Sequence, residues 1–156
     1  EHVVNSSDDD FADQLAAAVN ATGATIAFDA IGGGKLGNAI LMAMEAGAVK
    51  RMTEWSRYGS NEYKQLYIYG ALDLAPTTLN RGYGFSWGIG GWLLTPFMMK
   101  AGGEVVRQMQ AKVVAELTTT FASHYSDRVS LAESMTPQIG SRYGVRRTGQ
   151  KTLITF

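Results

Sequence analysis

Residues 24–37 read ATIAFDAIGGGKLG, an apolar run that closes on a carboxylate and passes at once into three consecutive glycines. A short apolar run bounded by glycine is typical of a buried β-strand. Apolar residues at helical spacing follow the glycines, at Leu36, Ile40, Leu41 and Met44. We therefore predict a buried strand, a tight turn and an amphipathic helix over this part of the chain.

The same alternation extends over the rest of the chain. We predict strands over residues 2–5, 24–29, 65–70 and 151–156, β structure over 118–122, and helices over 11–22, 36–47, 104–117 and 130–147. Residues 48–63 are polar and mixed, and we predict an excursion there. Strands that alternate with helices favour an α/β fold with a parallel sheet, in which ligands bind at the carboxyl ends of the strands.

The composition excludes several classes of protein. The 156 residues carry 14 Lys and Arg against 14 Asp and Glu, with no cysteine and two histidines. This excludes a disulfide scaffold and any cysteine-ligated metal, and we expect no metal site. A net charge of zero argues against a nucleic-acid partner. No basic segment precedes an apolar stretch at the start of the chain, so we see no signal peptide and expect a cytoplasmic protein.

Residues 82–99 contain no charged side chain and approach the length of a membrane-spanning helix. Glycine occupies half of the first ten positions, and Pro96 interrupts the end of the stretch. So much glycine weakens a helix. We therefore expect no membrane span, and predict a buried strand and a glycine-rich turn that lead into a helix.

The glycines after Asp29 match three ligand-binding loops incompletely. A Walker loop is rejected because Asp29 replaces its first glycine and Leu36 replaces its Mg²⁺-binding hydroxyl residue. A dinucleotide pattern can be written through Gly32, Gly34 and Gly37, and a methyltransferase loop fits except that its first glycine comes one residue late. A tight strand-to-helix turn, which also needs small residues, has about the same weight as all these ligand-binding loops together. Asp29 itself either binds a ribose or, as is commoner, caps the turn.

Four segments, taken in order, resemble the C-terminal half of medium-chain dehydrogenases/reductases, the quinone-oxidoreductase and zinc-binding alcohol-dehydrogenase-like superfamily. They are EHVVN at 1–5, IAFDAIGG at 26–33, YIYGA at 67–71, and the tail from VSLAES at 129–134 to TGQKTLI at 148–154. They are similar to the third, fourth and fifth strands of the cofactor domain and to the family's closing helix and final strand. The tail departs from the usual pattern, since Gln150 separates Gly149 from Lys151.

The resemblance implies a partial Rossmann-like, doubly wound parallel sheet with helices on both faces, lacking the first β-α-β unit. Residues 1–128 would be the C-terminal part of the dinucleotide-binding domain. Residues 129–156 would be closing helices and a final strand that belong to the family's catalytic domain. We therefore expect a fragment of a longer protein, inactive alone because the upstream unit would hold the cofactor pyrophosphate.

The resemblance also implies an NAD(P)H-dependent oxidoreductase of the quinone or carbonyl reductase or alcohol dehydrogenase type. It would transfer hydride between NADP or NAD and a small carbonyl, enone or quinone. No catalytic residue and no zinc ligand carry over to this chain. The stretch 82–94 would form the edge of a homodimer. The implied cofactor-binding residues are Ala30, Ile31, Gly32, Tyr69, Gly70, Ala71, Gly88 and Ile89.

Two other functions stay open. An S-adenosylmethionine-dependent methyltransferase-like domain would use the loop at 29–37. A non-catalytic oligomerisation module derived from the family would bind the cofactor without turnover.

Overall fold

The structure of the protein, a computed structural model, describes residues 1–143 and 151–156. The described residues form two compact units, Glu1–Phe97 and Met98–Phe156. Part of the tail that the sequence analysis uses lies outside the described residues, namely the end of the helix predicted over 130–147 and Thr148, Gly149 and Gln150.

The first unit contains helices and strands that alternate only in part as predicted, since the strands over 32–34 and 73–77 are not predicted by the sequence. Gly23 ends the first helix in the left-handed conformation, with a φ of 64°, and its N–H donates to the Val19 carbonyl. A side chain would be strained at that position, so the predicted glycine cap is confirmed. The elements are α1 (Phe11–Thr22), β1 (Ile26–Asp29), β2 (Gly32–Gly34), α2 (Leu36–Lys50), β3 (Lys64–Ile68), β4 (Asp73–Thr77), β5 (Trp87–Gly91) and α3 (Leu94–Ala101), which begins in this unit.

Strands β1, β3 and β5 form one sheet in that order, and both pairings are parallel. Phe28 lies opposite Tyr67, and Tyr67 lies opposite Gly90. Parallel neighbours need a long crossover, which α2 and the loop after it supply between β1 and β3. The predicted α/β class, with a partial Rossmann-like parallel sheet, is confirmed.

One face of this sheet packs against α2. Leu41 and Met44 of the helix, Leu66 of β3, and Tyr83 are buried together. Both helix residues belong to the apolar stripe that the sequence predicts. Burial of apolar surface contributes about 25 cal/mol per Å², so this cluster holds the helix on the sheet.

The opposite face of the sheet carries aromatic rings. Phe28 stacks on Tyr67 with ring centroids 5.3 Å apart, and Trp92 meets Phe28 and Tyr69 edge-on. Phe97 of α3 lies against Trp92. Helix α3 therefore begins on the face that α2 does not cover.

A buried charged side chain anchors the excursion between α2 and β3. Lys64 has no exposed surface, and its Nζ donates to Glu45 Oε2 at 2.6 Å, to Ser60 Oγ at 2.9 Å and to the Glu62 carbonyl at 2.7 Å. Ser60 donates its N–H and its hydroxyl to the same Glu45 carboxylate. Each ammonium proton has an acceptor, which offsets the cost of burying the charge. We call these residues the Lys64 cluster.

Several predicted elements are wrong. Residues 2–5 form no strand, and within the described parts of the chain no strand lies beside them to supply hydrogen bonds. Helix α2 does not end near Gly47 but continues to Lys50. Gly47 is buried next to Asn20 of α1, so its small size serves helix packing rather than termination. Residues 118–122 form turns instead of β structure.

The second unit contains a small parallel pair. Its elements are α4 (Gly103–Ala115), β6 (Asp127–Ser130), α5 (Leu131–Ser134), α6 (Pro137–Tyr143) and β7 (Thr152–Thr155). The predicted final strand is confirmed as β7, which pairs with the unpredicted β6. Ser130 and Glu133 exchange the two hydrogen bonds of a capping box at the start of α5.

The uncharged stretch 82–99 contains a loop over 82–86, then β5 and the start of α3. The predicted order of strand and helix is confirmed, but β5 is only half-buried, and Gly88, Gly90 and Gly91 lie inside the strand instead of in a turn after it. No helix within the described residues combines the length and the apolar character that crossing a membrane requires.

We expect Glu45→Gln to lower the free energy of unfolding by about 3 kcal/mol, because it leaves the Lys64 ammonium buried without its counter-charge. Urea denaturation at neutral pH, followed by tryptophan fluorescence, measures the change. Glu62→Gln is the matched control. Its ion pair with Arg51 joins side chains that are 37% and 40% exposed, and such pairs contribute less than about 1 kcal/mol. Equal losses in the two variants would contradict this expectation.

The pH dependence of stability gives a second readout of the same pair. Burial by itself raises the pKa of Glu45, but hydrogen bonds from Lys64 and Ser60 outweigh it and hold the pKa below its ordinary value of 4.5. The stabilisation is therefore complete above the unfolded-state value and is lost as the pH falls through the folded-state value. The stability difference between wild type and Glu45→Gln should shrink in acid, and a constant difference would argue against this account.

Candidate functional site

Two loops meet at the carboxyl ends of β1 and β3. The first strand-end loop (residues 30–32) follows β1, and the second strand-end loop (residues 69–71) follows β3. The Tyr69 N–H donates to the Asp29 carbonyl at 2.9 Å, which extends the strand pairing by one step. Gly70 then lies so close to Ala30 that a Cβ on Gly70 would overlap the Ala30 carbonyl. The structure thus brings together the six predicted site residues of these two loops.

Asp29 caps the first strand-end loop. It is only 2% exposed, and its Oδ1 accepts the N–H of Ile31 at 2.8 Å and the N–H of Gly32 at 3.2 Å. This is the turn-capping role that the sequence analysis gave as the commoner alternative. Its Oδ2 is also buried and has no hydrogen-bond partner among the described residues.

The glycine run is packed against its own chain. Strand β2 pairs with β4, and the Gly32 carbonyl accepts the Thr77 hydroxyl at 2.5 Å. A Cβ on Gly33 would lie 2.7 Å from the Ala75 carbonyl oxygen and 2.8 Å from that of Asp73. Gly33 is therefore crowded by β4, and Gly32 by the second strand-end loop, since a Cβ on Gly32 would lie 2.8 Å from the Gly70 carbonyl oxygen. The glycines form strand β2 instead of the predicted tight turn, and their packing explains the small residues without a phosphate or methyl-donor loop.

An open groove of 520 Å³ lies at the carboxyl ends of β3 and β5. We call it the strand-end groove. Its surface is mostly apolar, and among its lining residues only Tyr69 has a titratable side chain. Ligands of parallel sheets bind at this end of the strands. The lining residues are Ile68, Tyr69, Gly70, Ala71, Gly91, Trp92, Leu93 and Pro96.

Backbone donors border the groove. The N–H groups of Gly70 and Ala71 make no hydrogen bond within the parts of the chain that the structure describes. A ligand with an amide or hydroxyl oxygen can therefore reach them. The arrangement offers an apolar wall, two backbone donors and a glycine that permits close approach, which suits a flat ring that carries a polar substituent.

The predicted third loop is displaced from the groove. Gly88 and Ile89 lie inside β5, opposite Gln65 and Leu66, and Ile89 packs against the buried core. Strand β5 continues to Gly91, so the residues that reach the groove come three positions later than predicted. Sequence reasoning missed Trp92, Leu93 and Pro96, although the rule that ligands meet the carboxyl ends of strands would have found them had the end of β5 been placed correctly.

The site shows no catalytic side chain constellation. Within the described ranges, no three acidic or histidine side chains approach one another as a metal site requires. Tyr83 is buried in the core, where burial raises the pKa of its phenol against the smaller opposing effect of Arg81, and it does not line the groove. The apolar wall and the two backbone donors of the groove are suited to binding a ligand.

Comparison with known proteins supports the fold. No protein-family model matches the chain, and no curated protein is significantly similar to it. The chain is similar in structure to a candidate NADPH:quinone reductase from Mesorhizobium loti, with a TM-score of 0.64 and 22% sequence identity. The match covers 99% of this chain and 40% of that chain, so this chain spans less than half the length of that reductase. The similarity is one of fold, and a fold alone does not assign a function.

We expect Gly70→Ala to lower the free energy of unfolding by about 2 kcal/mol, because the new methyl group must displace the Ala30 carbonyl and open the two strand-end loops. Gly91→Ala is the matched control, since a Cβ there meets no atom within 4 Å. Its effect should stay within about 0.5 kcal/mol. Thermal and urea denaturation measure both variants, and equal stability of the two would show that the loops do not approach as closely as described.

Proposed function

We propose that the chain supplies the nicotinamide-binding half of an NAD(P)H-dependent oxidoreductase, which transfers hydride between the cofactor and a small carbonyl, enone or quinone. The proposal rests on one observation: the two strand-end loops meet beside the apolar strand-end groove. The name of the structurally similar reductase agrees with it.

The residues present fit a nicotinamide ring. The free N–H groups of Gly70 and Ala71 would bind its carboxamide or ribose, and the absence of a Cβ at Gly70 leaves the backbone open. Tyr69 and Trp92 would shield the ring from water. The bound cofactor supplies the hydride chemistry, and the role of the chain is to orient the ring. We propose NADP or NAD as the cofactor, with the pyrophosphate held by residues outside this chain.

Calorimetry with NADPH and NADH tests the proposal on this chain and on the longest natural protein that contains it. The longer protein should bind one cofactor and oxidise it with a quinone or enone acceptor. This chain should bind the same cofactor much more weakly, because the pyrophosphate contributes most where a helix N-terminus holds it. S-adenosylmethionine is the control ligand and should not bind.

Three outcomes separate the alternatives. Binding of neither nicotinamide cofactor by the longer protein would remove the proposal. Binding without turnover on any carbonyl or quinone would favour the non-catalytic module. Tight binding of S-adenosylmethionine would favour the methyltransferase-like reading.

We also propose that β5 forms the edge of a homodimer. It is the last strand of its sheet among the described residues. The Trp92 N–H points to β3, since it donates to the Ile68 carbonyl. By strand alternation the Gly91 N–H points to the outer edge, where it could pair with a second copy.

Gly91→Pro should therefore convert the dimer to a monomer, because proline removes the outward N–H but no hydrogen bond to β3. Gly91→Ala retains that N–H and should stay dimeric. Sedimentation equilibrium measures the mass, with 16.9 kDa for one copy of this chain. A wild-type chain that is monomeric, or a proline variant that stays dimeric, would contradict this interface.

A further inference from the structure

We propose that Asp29 is a positioning residue for the nicotinamide ring: its carboxylate holds the first strand-end loop against the second one, and so fixes the backbone donors of Gly70 and Ala71 beside the strand-end groove. This inference rests on the proposed function, and it adds a role that neither the sequence pattern nor the structural similarity assigns.

Ile31 and Gly32 of the first strand-end loop are held on two sides. On one side, the Asp73 N–H donates to the Ile31 carbonyl at 3.0 Å and the Thr77 hydroxyl donates to the Gly32 carbonyl. On the other side, Asp29 Oδ1 accepts the N–H groups of the same two residues. Asp29 therefore holds the loop from the end of β1, and β4 holds it from the opposite side.

The first strand-end loop in turn fixes the position of the second one. Ala30 lies directly against Gly70, and it makes no hydrogen bond of its own among the described residues. If the cap is lost, Ala30 is held only through its neighbours in the chain, so that Ala30 can shift and displace Gly70 and the free N–H groups of Gly70 and Ala71. Loss of the cap would thus disturb the ring end of the cofactor site and leave distant cofactor contacts unchanged.

Asparagine is the conservative replacement for Asp29. Nothing among the described residues donates a hydrogen bond to Asp29 Oδ2. The amide nitrogen of an asparagine can therefore take the place of Oδ2 without displacing a donor, while its oxygen keeps both bonds of Oδ1. Asp29→Asn should rescue the function, and Asp29→Ala should not.

The experiment compares two ligands that differ only by the nicotinamide. In the longest natural protein that contains the chain, calorimetry measures NADPH and 2′-phospho-ADP-ribose, which lacks the nicotinamide ring, or NADH and ADP-ribose where that protein binds NADH instead. Asp29→Ala should weaken NADPH binding by about tenfold and leave 2′-phospho-ADP-ribose binding unchanged, as expected for two lost hydrogen bonds that position one end of the ligand. Asp29→Asn should match wild type for both ligands.

Glu45→Gln is the matched control for a purely structural effect. It removes another buried carboxylate of the same unit and lowers stability, but it should not change the ratio of the two affinities. If Asp29→Ala does not fold, Asp29→Ser replaces it, because a serine hydroxyl caps such turns more weakly than a carboxylate does. Serine should then give a smaller loss, again for NADPH alone.

The outcomes separate the proposed function from the role of Asp29. If wild type binds neither NADPH nor NADH, the proposed function fails and this inference falls with it. If wild type binds both ligands and the Asp29 variants lose affinity for both equally, or for neither, the proposed function survives and the positioning role of Asp29 is overturned.

Discussion

The hydrogen bond from the Tyr69 N–H to the Asp29 carbonyl is the contact on which the candidate site depends. It extends the parallel pairing of β1 and β3 to the last residues of both strands, so the two strands end side by side. The backbone after each strand is then forced together at Ala30 and Gly70. Only a residue without a side chain fits at the second position, and the exposed donors beside it follow from the same constraint.

The glycine run at 32–34 is a sequence feature that fits several functional loops. Glycines after a strand that ends on an acid are shared by phosphate loops, methyl-donor loops and simple tight turns. In this fold Gly33 packs against β4, and the Asp29 carboxylate caps the turn that follows β1. The groove lies at the end of β3 instead, where Gly70 leaves the backbone open.

The buried charged side chains are hydrogen-bonded in two different ways. In the Lys64 cluster every ammonium proton has an acceptor, so a buried charge ties a long excursion to the end of α2 without an unsatisfied group. At Asp29 one carboxylate oxygen accepts two hydrogen bonds, and the other accepts none from the described residues. The first arrangement satisfies every proton of the buried ammonium, whereas the second leaves one buried oxygen at the end of β1 without such a partner.

The sequence by itself determined the α/β class, the presence of strands near 24–29 and 65–70 and the glycine cap after α1, and it favoured the capping role of Asp29. Each of these depends on interactions within a few residues, which local pattern and residue type express directly. Tertiary structure alone decided that residues 2–5 form no strand, that β2 pairs with β4, and that β5 meets the groove through Trp92 instead of Gly88. These outcomes depend on strand register and on contacts between residues far apart in the chain, and a shift of one or two residues in a strand end changes which side chains reach the site.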